Sequence, residues 1–212
     1  MIKASKLLIS MFLSAGLAQP SFAILKAGDK LIPFSLKGID GKIATLTMEN
    51  GRLTLVSSFT RDDGLPVTLK SHPAAVLIDF WATWCVPCRT SMPYMQMFYD
   101  TYKPKEGQTE GGLELFGIAL DVKGSAVVKP FFLNQKLKFT YPMLADPGSA
   151  HDVPGIIFKT KDMSSRYQAV EIPVVYIIDS RGTIVHAHMG FKKEHVAEIE
   201  KAILDCLGQE RK

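Results

Sequence analysis

The sequence predicts an α/β domain, a central mixed sheet flanked by helices, and three observations carry that expectation. From Ala74 onward, apolar strand-like runs alternate with helical patterns, as strand–helix–strand–helix and then strand–strand–helix. The run Ala74-Ala75-Val76-Leu77-Ile78-Asp79-Phe80-Trp81-Ala82 is apolar but for Asp79, as a strand buried on both faces must be. It leads directly into Trp84-Cys85-Val86-Pro87-Cys88-Arg89, two thiols three positions apart at an apparent helix start. The 212 residues suit one such domain with additions. Hydrophobic content of 47% and charged content of 22% are those of an ordinary globular chain.

Residues 1–23 read as an export signal. Lys3 and Lys6 form a positive start, Leu7 to Ala18 an apolar run, and Ser21-Phe22-Ala23 a small-residue cleavage site. The run of about 12 residues falls short of the roughly 20 needed to span a bilayer. The expected mature protein is soluble and periplasmic or secreted, and a retained signal would tether it to the membrane instead. No cysteine follows the apolar run, so a lipid anchor is not expected. Setting Lys3 and Lys6 aside lowers the formal charge from +4 to +2, and no basic block appears, which argues against nucleic acid as a partner.

Residues 24–73 form an expected N-terminal extension. Pro33 to Leu36, the turn Gly38-Ile39-Asp40-Gly41-Lys42 and Ile43 to Leu46 predict a β-hairpin. Residues 47–73 read as an insertion, with a strand at Leu53 to Val56 and a loop from Arg61 to Pro66.

Residues 74–212 form the expected core domain. Its strand ends near Ala82, a helix runs from Val86 to about Tyr102, and Leu113 to Leu120 is a second strand. Val127 to Leu137 is expected to be helical, and residues 147–165 to be a long loop, the second insertion. Val174 to Asp179 and Thr183 to Met189 form a strand pair, and Lys192 to Leu207 the last helix.

Cysteines at i and i+3 across a helix start can close a small disulfide ring, and the unpaired N–H groups and dipole there favour a thiolate. The same spacing is half of a zinc site, which needs two more ligands. Cys206 and the five histidines offer no second grouping, so redox exchange is the preferred reading, with no metal and no small-molecule cofactor. Cys88 begins a stripe through Met92, Met95, Tyr99 and Tyr102, so it is expected to be buried and resolving, and Cys85 exposed and attacking. Val86 and Pro87 between them supply no cation, which points to a reducing pair.

Asp79 faces either solvent or the thiols. In the second case it is a buried carboxyl of raised pKa able to take the proton of Cys88. Pro93 is expected to kink the helix. Arg89 reads as solvated, Cys206 as a buried apolar thiol, and His186 with His188 as a strand-face pair.

The stretch Val76 to Cys88 strongly resembles the active-site strand and turn of thioredoxins. Glu171-Ile172-Pro173 followed by Val174 to Asp179 resembles their cis-proline loop and final hairpin. Gly28 to Leu36 with Asp40-Gly41-Lys42 is similar to the extracytoplasmic TlpA/ResA-like branch. The resemblance covers residues 27–46 and 74–205. It implies a thioredoxin-like fold, with the N-terminal hairpin and the two insertions as additions, and an extracytoplasmic thiol–disulfide oxidoreductase. Many members of that branch serve cytochrome c maturation.

Carried over, Cys85 is the nucleophile, Cys88 the resolving thiol, Asp79 the buried aspartate and Pro173 the cis-proline. Trp84, Val86, Pro87, Ile172 and Pro173 are then the surface that meets client proteins, and a membrane or periplasmic donor recharges the pair. Ser91 stands where the cytochrome c branch often has Glu, a departure from that narrower role. A copper-binding protein on this fold is an alternative, kept open by nine methionines and His186/His188. It usually has three residues between the thiols, not two. A thiol peroxidase is the other alternative.

Overall fold

A computed structural model of the chain describes residues 24–134, 138–146 and 163–208. The expected export signal and most of the 147–165 loop lie outside the described residues.

The N-terminal part is a four-stranded antiparallel sheet in the order β1-β2-β3-β4, from β1 (Phe34–Lys37), β2 (Ile43–Glu49), β3 (Arg52–Thr60) and β4 (Pro66–Ser71). The expected hairpin is β1–β2. Residues 47–73 are not a separate insertion: they continue the same sheet, with Leu46 opposite Leu55 and Ser57 opposite Leu69. Asn50-Gly51 closes the β2–β3 hairpin, both at positive φ (51° and 76°), which two-residue turns between right-twisted strands require. β4 escaped the sequence pattern because it is an exposed edge, with Leu69 57% accessible.

The second sheet has the order β7-β6-β5-β8-β9. Its strands are β5 (Ala75–Trp81), β6 (Leu113–Ala119), β7 (Met143–Ala145), β8 (Val174–Asp179) and β9 (Ile184–Met189). β5–β6 and β6–β7 are parallel, β5–β8 and β8–β9 antiparallel. The helices are α1 (Val86–Tyr102), α2 (Ser125–Leu133), α3 (Met163–Arg166) and α4 (His195–Leu207). β7 and α3 were not expected; at three and four residues each is too short to show a period. α2 starts two residues earlier than expected, and α4 starts at His195 rather than Lys192.

Alternation along β5 divides the molecule into three layers. Val76, Ile78 and Phe80 pack against Phe34, Leu46 and Leu55 of the N-terminal sheet. Ala75, Leu77 and Trp81 face α1 and α4 through Met92, Met95, Phe98, Ile199 and Ile203. The larger aliphatic, Met and Phe side chains among these contribute about 1.5–3 kcal/mol each relative to exposure. The buried stripe of α1 runs through Phe98, with Tyr99 and Tyr102 only half-buried, a correction to the expected stripe. Pro93 sits on the exposed face of α1, and the helix continues past it to Tyr102.

Candidate functional site

The motif lies where β5 gives way to α1. Cys85 is the N-cap of α1, and its sulfur accepts from the backbone N–H of Cys88 at 3.2 Å. Pro87 occupies the first turn, where its missing N–H leaves no bond unmade. Cys85 and Cys88 are joined in a disulfide, with Cα atoms 5.3 Å apart.

Cys88 is 0% and Cys85 4% accessible. The expected ranking holds, but Cys85 is not the openly exposed thiol that was anticipated. The loop before β8 covers it: the Ile172 carbonyl oxygen lies 3.8 Å from Cys85 Sγ. The Ile172–Pro173 peptide is cis, as expected, and Pro173 is buried. Pro87 is exposed, and Trp84 (69% accessible) and Val86 (60%) stand out around the disulfide as an apolar rim.

Asp79 is fully buried, which removes the solvent-facing alternative. Alternation puts it on the Leu77/Trp81 side of β5, the side covered by α1 and Cys88. Neither carboxylate oxygen has a hydrogen-bond partner among the described residues, and burial raises its pKa to about 7. Ser91 is buried too, its hydroxyl donating to the Cys88 carbonyl at 2.8 Å, so no acid occupies that position.

Two features escaped the sequence reading. The buried Asp121 carboxylate accepts from the Thr83 backbone N–H at 3.0 Å and from the Thr83 hydroxyl at 2.6 Å, clasping the loop that delivers Cys85. An aspartate directly after the apolar run Leu113 to Leu120 was the available signal. Val122, next to Asp121, and Val170, two residues before Ile172, are highly exposed apolar side chains in the loops that flank the site.

Arg89 is exposed, as expected. Cys206 is half-buried rather than buried, and desolvation pushes its thiol up to about 11, away from reactivity. His186 Nε2 and His188 Nδ1 lie 3.1 Å apart, and the His195 ring centre lies 4.5 Å from that of His188, the two rings tilted by 51°. Among the described residues no group of three or more His, Cys, Asp or Glu side chains could hold a metal ion. Among them, too, no helix is long and apolar enough to cross a membrane. A cavity of about 770 Å³ lies away from the disulfide, between the N-terminal sheet and the β6/β7 edge, with Phe59, Leu69, Glu114 and Tyr141 in its walls.

The profile of the AhpC/TSA family matches residues 27–187. The thiol-disulfide oxidoreductase ResA of Bacillus thuringiensis subsp. konkukian (strain 97-27) is 34% identical over 144 residues, 66% of this chain and 70% of that protein. Among solved structures, a candidate thiol:disulfide interchange protein DsbE from Chlorobium tepidum is similar at TM-score 0.57 and 25% identity, covering 87% of this chain and 99% of that one. A candidate protein disulfide isomerase from Bacteroides thetaiotaomicron shares the fold at TM-score 0.60 and 23% identity, covering 88% of this chain and 92% of that one.

Proposed function

The chain belongs to the AhpC/TSA family and is a thiol–disulfide oxidoreductase; from that premise we propose that it is exported and reduces disulfides in client proteins. The observation that carries this is the Cys85–Cys88 disulfide at the N-terminus of α1, with a buried carboxyl on the same side of β5. The site supports a macromolecular substrate: the disulfide lies under an apolar rim, and the 770 Å³ cavity is elsewhere. Residues 1–23 would direct export, 24–73 form the N-terminal sheet and 74–212 the catalytic core.

In the proposed cycle the Cys85 thiolate, favoured by the helix terminus, attacks a client disulfide. One client thiolate leaves and a mixed disulfide forms. Asp79 then takes the proton of Cys88, and the Cys88 thiolate attacks Cys85 Sγ. The Cys85–Cys88 bond forms, the second client thiolate departs, and two electrons have passed to the client. A membrane or periplasmic dithiol donor restores the pair. Trp84, Val86, Pro87, Ile172 and Pro173 are the surface against which the client lies.

Cys88→Ser should accumulate mixed disulfides with exported clients, and Cys85→Ser should not, on non-reducing gels after acid quenching. Equal adduct formation through Cys88 in the Cys85→Ser protein would overturn the assignment of roles.

A further inference from the structure

Asp79 is paired in register with Gly117 on β6 and Val175 on β8. Beyond β8, the same face carries two titratable side chains of β9, His186 and His188, in register with Ile177 and Val175; burial lowers the pKa of both below the ordinary histidine value, which keeps them neutral near pH 7. β6 presents Leu115, Gly117 and Ala119, β8 presents Val175 and Ile177, and α1 presents Cys88, Met92 and Met95. A carboxylate formed there has no cation to meet it, so it depends on hydrogen-bond donors.

Gly117 shows where those donors stand. Its φ is unremarkable, yet a Cβ there would lie 2.5 Å from Met143 Sδ, 3.2 Å from Trp81 Nε1 and 3.2 Å from Tyr141 Cε2. The space beside Asp79 that a β6 side chain would fill is therefore taken by the Trp81 indole, the Tyr141 ring and Met143. Tyr141 is 2% and Trp81 0% accessible. The Trp81 Nε1–H and the Tyr141 hydroxyl have no hydrogen-bond partner among the described residues, and neither do the two oxygens of Asp79. Two buried donors and one buried acceptor, all unmatched, surround a single glycine. Buried polar groups in native proteins are otherwise nearly always paired.

We propose that Tyr141, seconded by Trp81, is the donor that receives the Asp79 carboxylate in the state from which it takes the proton of Cys88. In the oxidised form Asp79 holds its proton and the donors are idle. When a dithiol donor reduces the disulfide, the Cys88 thiolate that is released takes the proton from Asp79, and the ionised carboxylate accepts from the Tyr141 O–H and the Trp81 Nε1–H. When Cys88 ionises, its proton passes to Asp79 and both bonds are released. Tyr141 and Trp81 touch neither client nor thiols in this scheme; they are positioning residues. Tyr141 also forms part of the wall of the 770 Å³ cavity. The inference rests on the proposed role of Asp79.

The test is the pH profile of the resolving step, measured in single turnover with a pre-formed client mixed disulfide. Tyr141→Phe removes one oxygen and keeps the ring. It should move the midpoint of the profile upward by about one pH unit, a roughly tenfold loss of rate on the acid side. The oxidised-state unfolding midpoint should remain within the range of other conservative core changes. Trp81→Phe should shift the profile in the same direction. Difference infrared titration of the Asp79 carboxyl band supplies a readout independent of turnover, and the band should disappear at higher pH in Tyr141→Phe. Asp79→Asn separates the two claims. If it leaves the profile unchanged, the role of Asp79 itself fails. If Asp79→Asn abolishes the titration while Tyr141→Phe leaves both profile and band in place, Asp79 stands and this inference is overturned.

Discussion

Asp79 is a liability to the fold as well as an asset to the chemistry. In the folded oxidised protein it keeps its proton up to about pH 7, because burial disfavours the charged form. In the unfolded chain an aspartate loses it near pH 4. Between these values the folded state binds the extra proton, so stability is full below about pH 4 and declines as pH rises toward 7. Asp79→Asn should therefore stabilise the oxidised protein at pH 8 by up to about 4 kcal/mol relative to its effect at pH 4, read from urea unfolding at the two pH values. A difference independent of pH would mean that the carboxyl is already ionised in the fold. The sequence marked this residue because a carboxylate inside an apolar strand is conspicuous. It could not show which side of the strand Asp79 takes, nor that its β6 neighbour is a glycine overlaid by Tyr141, because strand register and long-range packing leave no local trace.

Among the elements, those with a long period were legible and the short or exposed ones were not. β5 and α1 follow from an apolar run and from a stripe that begins at Cys88. β4 is missed because an exposed edge needs no alternation, and β7 because three residues show no period. The junction of β9 and α4 went unread for a related reason: His195 is seven residues beyond His188 in sequence but lies against it in space. Burial, reinforced by His195 and His186, lowers the His188 pKa to about 4. Glu198 is the acidic counterweight, acting on His186. A histidine whose folded pKa is depressed contributes stability above its ordinary value near 6.5 and loses it as pH falls toward 4. A charged His188 would also face the positive end of the α4 dipole. Amide exchange in the first turns of α4 should accelerate between pH 7.5 and pH 5, and His188→Gln should flatten that response. Exchange equally pH-dependent in both proteins, after correction for intrinsic rates, would rule this out.

At the scale of the whole molecule, the N-terminal sheet is a wall of the core rather than an appendage. Phe34 meets Phe116 edge-on at 5.9 Å, and both are buried. The Tyr167 hydroxyl donates to the Ile32 carbonyl at 2.7 Å and accepts from the Ile32 N–H at 3.2 Å, tying the entry segment to α3 and its neighbours. Tyr176 on β8 in turn donates to the Tyr167 carbonyl. Phe34→Ala should cost about 3–5 kcal/mol, as truncations of fully buried aromatics do. The loss should appear as a lower midpoint of one shared transition in far-ultraviolet circular dichroism and tryptophan emission. Two separated transitions would show that the N-terminal sheet unfolds by itself. The sequence placed a hairpin and an insertion here without showing that they form one surface, because the apolar residues of β1 to β3 find their partners far along the chain.

The apolar rim around the disulfide, with the exposed apolar side chains of the flanking loops, has a consequence for how such a protein can diversify. Trp84, Val86, Val122 and Val170 come from three separate stretches of chain and are all exposed. The two sheets, the cores on either side of β5 and the helix cap bear the weight of folding without them. Exposed substitutions away from caps and cores usually change stability by less than about half a kcal/mol. A lineage descending from this sequence could thus exchange its clients by redrafting a few of these residues, one loop at a time, while inheriting its electron-transfer chemistry intact.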